Sequence, residues 1–242
     1  MPVPHLIEDV LREACGRAQR RNAVTAPSGG PAGNALLIAW TGLLLLVFIA
    51  AELVTLLDVR ALIDWHVAIG VLLVPPALLK TAATGWRVLR YYTDSEPYRT
   101  AGPPPTLLRV LGPLVVASTL GLLASGVLLI AVGEERGRRT LVSALGQRVD
   151  LVTVHQALFI AFAVSTGLHL LARTVPTLAL TSGRAGRLGD ATAVPGSGRR
   201  LLALAATVGA AVVAVVLLLP LADDWQDAGR HDGPPPGSSS AP

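Results

Sequence analysis

Three of the five histidines, His66, His155 and His169, fall inside long apolar runs. An ionisable side chain at membrane depth is costly and is a functional candidate by default. His155 and His169 stand 14 residues apart in one run. At 3.6 residues per turn that is just under four helical turns, so both rings project from nearly one face. The rise between them is about 21 Å, which puts one imidazole near each surface of a bilayer. A helix that ligates two haems, one per leaflet, needs this arrangement. A six-coordinate iron also needs a second axial ligand at the same depth. His66 lies four or five residues into its own apolar run, as His155 does. The two runs cross in the same direction, so the two imidazoles are expected to share a depth near the outer surface and to hold one haem b, the alternatives being a metal ion, a proton relay or no cofactor.

The inner half is read differently. Fourteen residues after His66 stands Lys80, the single lysine among 20 basic residues. Lysine is a rare iron ligand and would have to be deprotonated. The plainer reading has Lys80 snorkel to the inner headgroups or pair with a haem propionate or lipid phosphate. His169 is then open to several roles: ligand of a second haem, hydrogen-bonding group at a quinone pocket, or packed histidine. Gly70, one turn after His66, leaves room for a flat macrocycle. Gly121, Ser125 and Gly126 could do the same, although small residues also serve plain helix packing. Glu52 falls in the outer half of its run and could pair with a protonatable group near the haem, shuttle protons, or stabilise the helices.

These side chains must be carried by helices. Hydrophobic residues make up 52% of the 242 and charged residues 15%, against roughly 25% charged in an ordinary soluble domain. That composition excludes a disordered chain, a coiled coil and a typical soluble enzyme. Five apolar stretches, near residues 35–57, 62–83, 106–132, 151–172 and 201–219, are each long enough to cross a core of about 30 Å. Each is continuously apolar, without the alternation of a barrel strand. The expected fold is all-α, with five transmembrane helices. Spans one to four form an up-down-up-down four-helix bundle, and the fifth is peripheral. In such a bundle spans two and four are diagonal. Adjacent helices pack about 8–10 Å apart, so the diagonal is roughly 11–14 Å, a gap that suits a haem held edge-on between two imidazoles. Four-helix bundles commonly house cofactors this way. Pro75–Pro76 is expected to bend or loosen span two.

The formal net charge of +4 invites a nucleic-acid reading, but the charges sit in the segments between spans. Arginines concentrate in the first 34 residues and in the segments after spans two and four. By the positive-inside rule the N-terminus is cytoplasmic and the C-terminus extracytoplasmic. Arginine in place of lysine, with abundant Ala, Gly, Pro and Val, suits a GC-rich bacterial genome, and hence a bacterial cell membrane. Residues 1–34 form a charged tail in which 4–20 have the spacing of a short amphipathic helix on an anionic membrane. No signal peptide is expected. Residues 35–220 are the transmembrane domain, and 221–242 a disordered tail rich in Gly, Pro and Ser. The lone Cys15 allows neither an intrachain disulfide nor a cysteine-based zinc site.

Further elements recur between residues 52 and 105: Glu52-Leu-Val-Thr55, His66 with Gly70, Pro75-Pro76, Leu79-Lys80, Thr84-Gly85, Arg90-Tyr91-Tyr92, Tyr98 and Gly102-Pro-Pro-Pro105. With His155 and His169 they resemble a group of actinobacterial multi-span membrane proteins. More distantly, the histidine pattern is similar to that of bundle-type b cytochromes, such as cytochrome b561 and the ferric-reductase-like proteins. The resemblance covers roughly residues 35–173. It implies two haems b and transmembrane electron transfer. The chain departs from the four-histidine pattern at Lys80. It holds no flavin or nicotinamide domain, so a complete ferric reductase is not expected. The reading is an electron-transfer subunit that exchanges electrons with a quinone or a redox partner protein and contacts membrane lipids. The alternatives are a cofactor-free anchor or assembly protein, and a small transporter using Glu52, Lys80 and His169.

Overall fold

The computed structural model describes residues 8, 30–100, 106–144, 146–181 and 194–225. Five long helices dominate them: α1 (Gly30–Thr55), α2 (Ile63–Tyr92), α4 (Thr106–Gly137), α5 (Leu151–Thr181) and α6 (Ser197–Leu218). A short helix, α3 (Glu96–Thr100), follows α2. All five long helices are long and apolar enough to cross a membrane. Their outward faces carry large apolar side chains, including Val47, Leu114, Ile160 and Val216. In water that exterior would be unfavourable; against lipid tails it is the expected surface.

Helix α1 packs along α2, α2 against α4, α4 against α5, and α5 closes back on α1. This is the antiparallel four-helix bundle, with α2 and α5 on the diagonal. Helix α6 lies outside it, chiefly along α2 and partly along α1. The register of α1 against α2 is fixed at one end by Asn34, whose Nδ2–H donates to the Ala83 carbonyl at 3.0 Å. An amide buried in an apolar setting needs such a partner. Mid-bundle, Leu45, Leu73 and Ala77 form an apolar layer with Phe48, Ile49 and Leu123 packed on it.

Several details differ from expectation. Helix α2 continues through Pro75 and Pro76 as one helix. A break not expected from the sequence falls in α4, at Gly133 (φ 75°, ψ 172°). That conformation favours glycine, and a Cβ there would also meet Asp224 Oδ2 at 2.8 Å. The connection from α4 to α5 is not wholly irregular. It contains an antiparallel hairpin, β1 (Val142–Ala144) with β2 (Gln147–Val149), with Gly146 at φ 75° between them. Strands of three residues are too short to declare themselves by alternation.

The ordered chain also extends past the boundary expected at residue 221. Residues Leu219–Ala222 form a 3-10 turn, and Ala222 is fully buried beside Val71 and Ile130. Trp225 Nε1–H donates to the Leu129 carbonyl at 3.2 Å, four residues before the Gly133 break. Arg138 stands over its ring at 5.6 Å. Pro220, Asp223 and Asp224 end the apolar run and hide this docking from hydropathy. The surface helix expected over 4–20 lies, apart from Glu8, outside the described residues, as do 182–193 and the tail from 226.

Asp150 begins α5. Its Oδ1 accepts from the Thr153 backbone N–H at 2.7 Å and from the Thr153 hydroxyl at 2.8 Å. These bonds, the backbone one first, lower the Asp150 pKa below the ordinary aspartate value. Stabilisation by this cap is therefore present above the unfolded-state pKa and lost as pH falls through the lower folded value. Asp150→Ala is expected to cost about 1 kcal/mol, and Asp150→Asn to keep most of the cap while flattening its acid dependence. Thermal unfolding in detergent across pH 3–6, a window set by the ordinary aspartate range, checks both.

Candidate functional site

The end of the bundle at which α1 finishes carries a polar layer built from four helices. Glu52 and Thr55 come from the last turn of α1, His66 from the first turn of α2, Ser125 from α4 and His155 from the first turns of α5. The two imidazole rings face each other across the diagonal, centroids 6.4 Å apart and planes at 87°. Both histidines are half-buried.

The hydrogen bonds assign the ring nitrogens. Thr55 Oγ1 donates its only proton to the Glu52 backbone carbonyl at 2.6 Å. It also lies 3.1 Å from His66 Nδ1, so there it must accept. Glu52 Oε1 accepts from the same Nδ1 at 2.8 Å. His66 therefore directs an Nδ1–H at these two oxygens, and its Nε2 is the nitrogen left for another partner. The second ring repeats the logic. Ser125 Oγ donates to the Leu122 carbonyl at 2.9 Å and lies 2.9 Å from His155 Nδ1. It must accept there too, so His155 likewise directs an Nδ1–H at it and leaves Nε2 free to ligate. Fixing one ring nitrogen by a hydrogen bond so that the other can bind metal is the usual second-shell device.

The spacing suits a shared metal. Bonds of about 2.0 Å from each nitrogen, with each ring centre about 1.1 Å further, would set the centroids roughly 6 Å apart. Among the described residues, no three or more His, Cys, Asp or Glu side chains converge to hold a metal ion. The site offers two imidazoles and no third ligand of that kind among the described residues. A bare ion usually asks for three or four protein ligands, whereas iron in a macrocycle asks for one or two.

The glycines and serine expected to leave room divide into different roles. A Cβ on Gly126 would stand 3.3 Å from His155 Cε1, so this glycine admits the histidine itself. A Cβ on Gly121 would stand 3.0 Å from Leu158 Cδ2, so Gly121 serves helix packing. Ser125 holds His155 rather than vacating space. A Cβ on Gly70 would have Glu52 Oε1 at 3.8 Å as its nearest neighbour, so Gly70 faces the carboxylate with room to spare. Thr55 was absent from the sequence-based set; only its pairing with His66 across the α1–α2 turn reveals it.

The two remaining residues sit a further four turns along. His169 is half-buried on α5, one turn after Ser165, whose Oγ is 3.0 Å from Ser118 Oγ on α4. The corresponding position of α2 is Lys80. A Cβ on Gly42 of α1 would lie 2.6 Å from Lys80 Nζ. The Asn34–Ala83 bond sets residue 80 level with about residue 37, so Gly42 is about 7.5 Å nearer the His66 end. The lysine thus reaches into the bundle, not out to the nearer helix ends as snorkelling would require. It is directed at α1, while His169 is on the diagonal helix. The apolar layer around Leu45 and Leu73 separates this level from the imidazole pair.

Comparison of the chain with protein-family models, curated proteins and solved structures finds no match, so the reading of this site rests on its own geometry.

Proposed function

We propose that the protein is a haem-b-binding, multi-pass protein of a bacterial cell membrane and acts as an electron-transfer subunit. One observation carries this reading: two imidazoles on diagonal helices, each with Nδ1 in a hydrogen bond to a neighbouring hydroxyl and the ring centroids 6.4 Å apart. His66 and His155 would hold the haem, which would supply one-electron chemistry there. The chain's own residues do the rest: Thr55, Glu52 and Ser125 hold the rings, Gly126 admits His155, and the helices exclude water. A quinone dissolved in the membrane or a redox partner protein at that face would exchange the electrons. The arginine distribution orients the N-terminus to the cytoplasm, which places the imidazole pair toward the outer surface.

The order of layers favours electron transfer over transport. Between Glu52 and the backbone level of Lys80, the described residues of the first, second and fourth helices include a packed apolar cluster of leucine, alanine and phenylalanine, which supports electron transfer over ion passage.

The test is a reduced-minus-oxidised spectrum and a haem assay on detergent-purified protein expressed with adequate haem. One b-type haem per chain is expected, and none overturns the reading. His169→Ala is expected to leave that stoichiometry at one. A fall from two to one on that change would instead place a second haem at His169.

A further inference from the structure

The two imidazoles are held unequally, and the inequality points to Glu52. His155 Nδ1–H meets a neutral serine hydroxyl. His66 Nδ1–H meets the Thr55 hydroxyl and, closer, a carboxylate oxygen at 2.8 Å. That carboxylate is largely buried, with 17% of its side chain exposed. Its other oxygen, Oε2, is buried and has no hydrogen-bond partner. Glu52 therefore directs its one strong polar contact at His66. Gly70 keeps the adjoining position of α2 without a side chain.

We propose that Glu52 is a positioning residue that fixes His66 with Nε2 toward the metal and holds the reduction potential of a bound haem low. The proposal rests on the haem reading above. A carboxylate on the distal nitrogen of a ligating histidine locks its tautomer and raises its basicity. Both the more basic ligand and the buried negative charge favour the more positive, oxidised iron.

Two substitutions separate the two effects. Glu52→Gln keeps an acceptor oxygen for Nδ1–H and removes the charge. Equilibrium redox titration of the purified haem protein is expected to show reduction favoured at least tenfold, which is about 59 mV for one electron. Ser125→Ala, which removes a neutral partner from the other ring, is expected to shift it less. Glu52→Leu also removes the closer of the two acceptors on His66 Nδ1, leaving Thr55 at 3.1 Å to hold the ring alone, and is expected to weaken haem binding about 10–100-fold. The second measurement needs no haem: nitrogen NMR of histidine-labelled, haem-free protein, with His66 assigned by its loss in His66→Gln. The Nδ1–H tautomer is expected in the wild type, and a mixture with the Nε2–H form in Glu52→Leu. A Glu52→Gln potential within twofold of wild type overturns the proposal, as does a His66 tautomer indifferent to Glu52→Leu. If no preparation carries haem, the functional reading fails, and the tautomer experiment alone still decides whether Glu52 positions His66.

Discussion

Replacing either His66 or His155 with alanine is expected to abolish the b-type haem absorption of the purified protein, while a chain of the same helical content remains in the membrane. The two side chains come from different helices, and neither is needed to close the bundle. The helices are held by Asn34–Ala83, by the Leu45–Leu73–Ala77 layer and by the Ser118–Ser165 bond, all of which survive both changes. Removing the His155 ring leaves its hydroxyl partner in a tolerable state, whereas removing His66 also takes the polar contact from the largely buried Glu52 carboxyl. Thr55 and Ser125 already donate their protons within their own helices and lose only a donor to an oxygen. Stability should therefore fall modestly in His155→Ala and further in His66→Ala, while either change removes half of the proposed ligand pair. Circular dichroism and membrane fractionation check the fold, and the reduced-minus-oxidised spectrum checks the haem. Equal loss in the two variants is expected, because one iron shared by two imidazoles cannot be assigned to one of them. Full haem retention in both variants would remove this pair from the ligand set.

The membrane character, the five spans and their order around the bundle were legible in the sequence, because continuous apolar runs of about 20 residues admit few alternatives. The meeting of His66 and His155 was legible for a related reason. Their equal depth into parallel spans follows from rise per residue, and their facing follows from bundle order. What escaped the sequence depends on side-chain direction within a helix face. Ser125 and Gly126 are neighbours that looked alike as small residues, yet one bonds the His155 ring and the other makes space for it. Thr55 lies 11 positions from His66 and is brought to it only by the tight α1–α2 connection. The seat of Trp225 was hidden by the acidic pair before it, and the hairpin by its shortness. In each case the deciding contact lies between segments whose patterns carry no mutual signal.

Gly42→Ala is expected to destabilise the protein more than its size suggests, and loss of the Lys80 charge is expected to undo the effect. A Cβ at residue 42 would come within 2.6 Å of Lys80 Nζ, closer than two such atoms can approach. The lysine stem is flexible, so steric relief is available: the ammonium moves. Its cost is electrostatic. Moving the ammonium disturbs the position it now takes beside α1, and a lysine charge in apolar membrane interior costs about 2.5–3.5 kcal/mol on insertion scales. The methyl group of alanine would itself favour helix over glycine by up to about 1 kcal/mol, so a net loss of stability isolates the lysine contribution. Thermal unfolding in detergent is expected to show Gly42→Ala clearly less stable than wild type. In the Lys80→Met background the same change should be neutral or slightly stabilising, because an unbranched apolar chain can fold away from the methyl without moving a charge. The coupling between the two positions, read from the four-variant cycle, is expected to exceed about 1 kcal/mol. Strict additivity would mean that the ammonium does not rest against Gly42. Haem content should stay at one per chain through all four variants, since the Leu45–Leu73 layer stands between Lys80 and the imidazole pair; a haem count that follows Lys80 would make the lysine a ligand instead of a strut between α1 and α2.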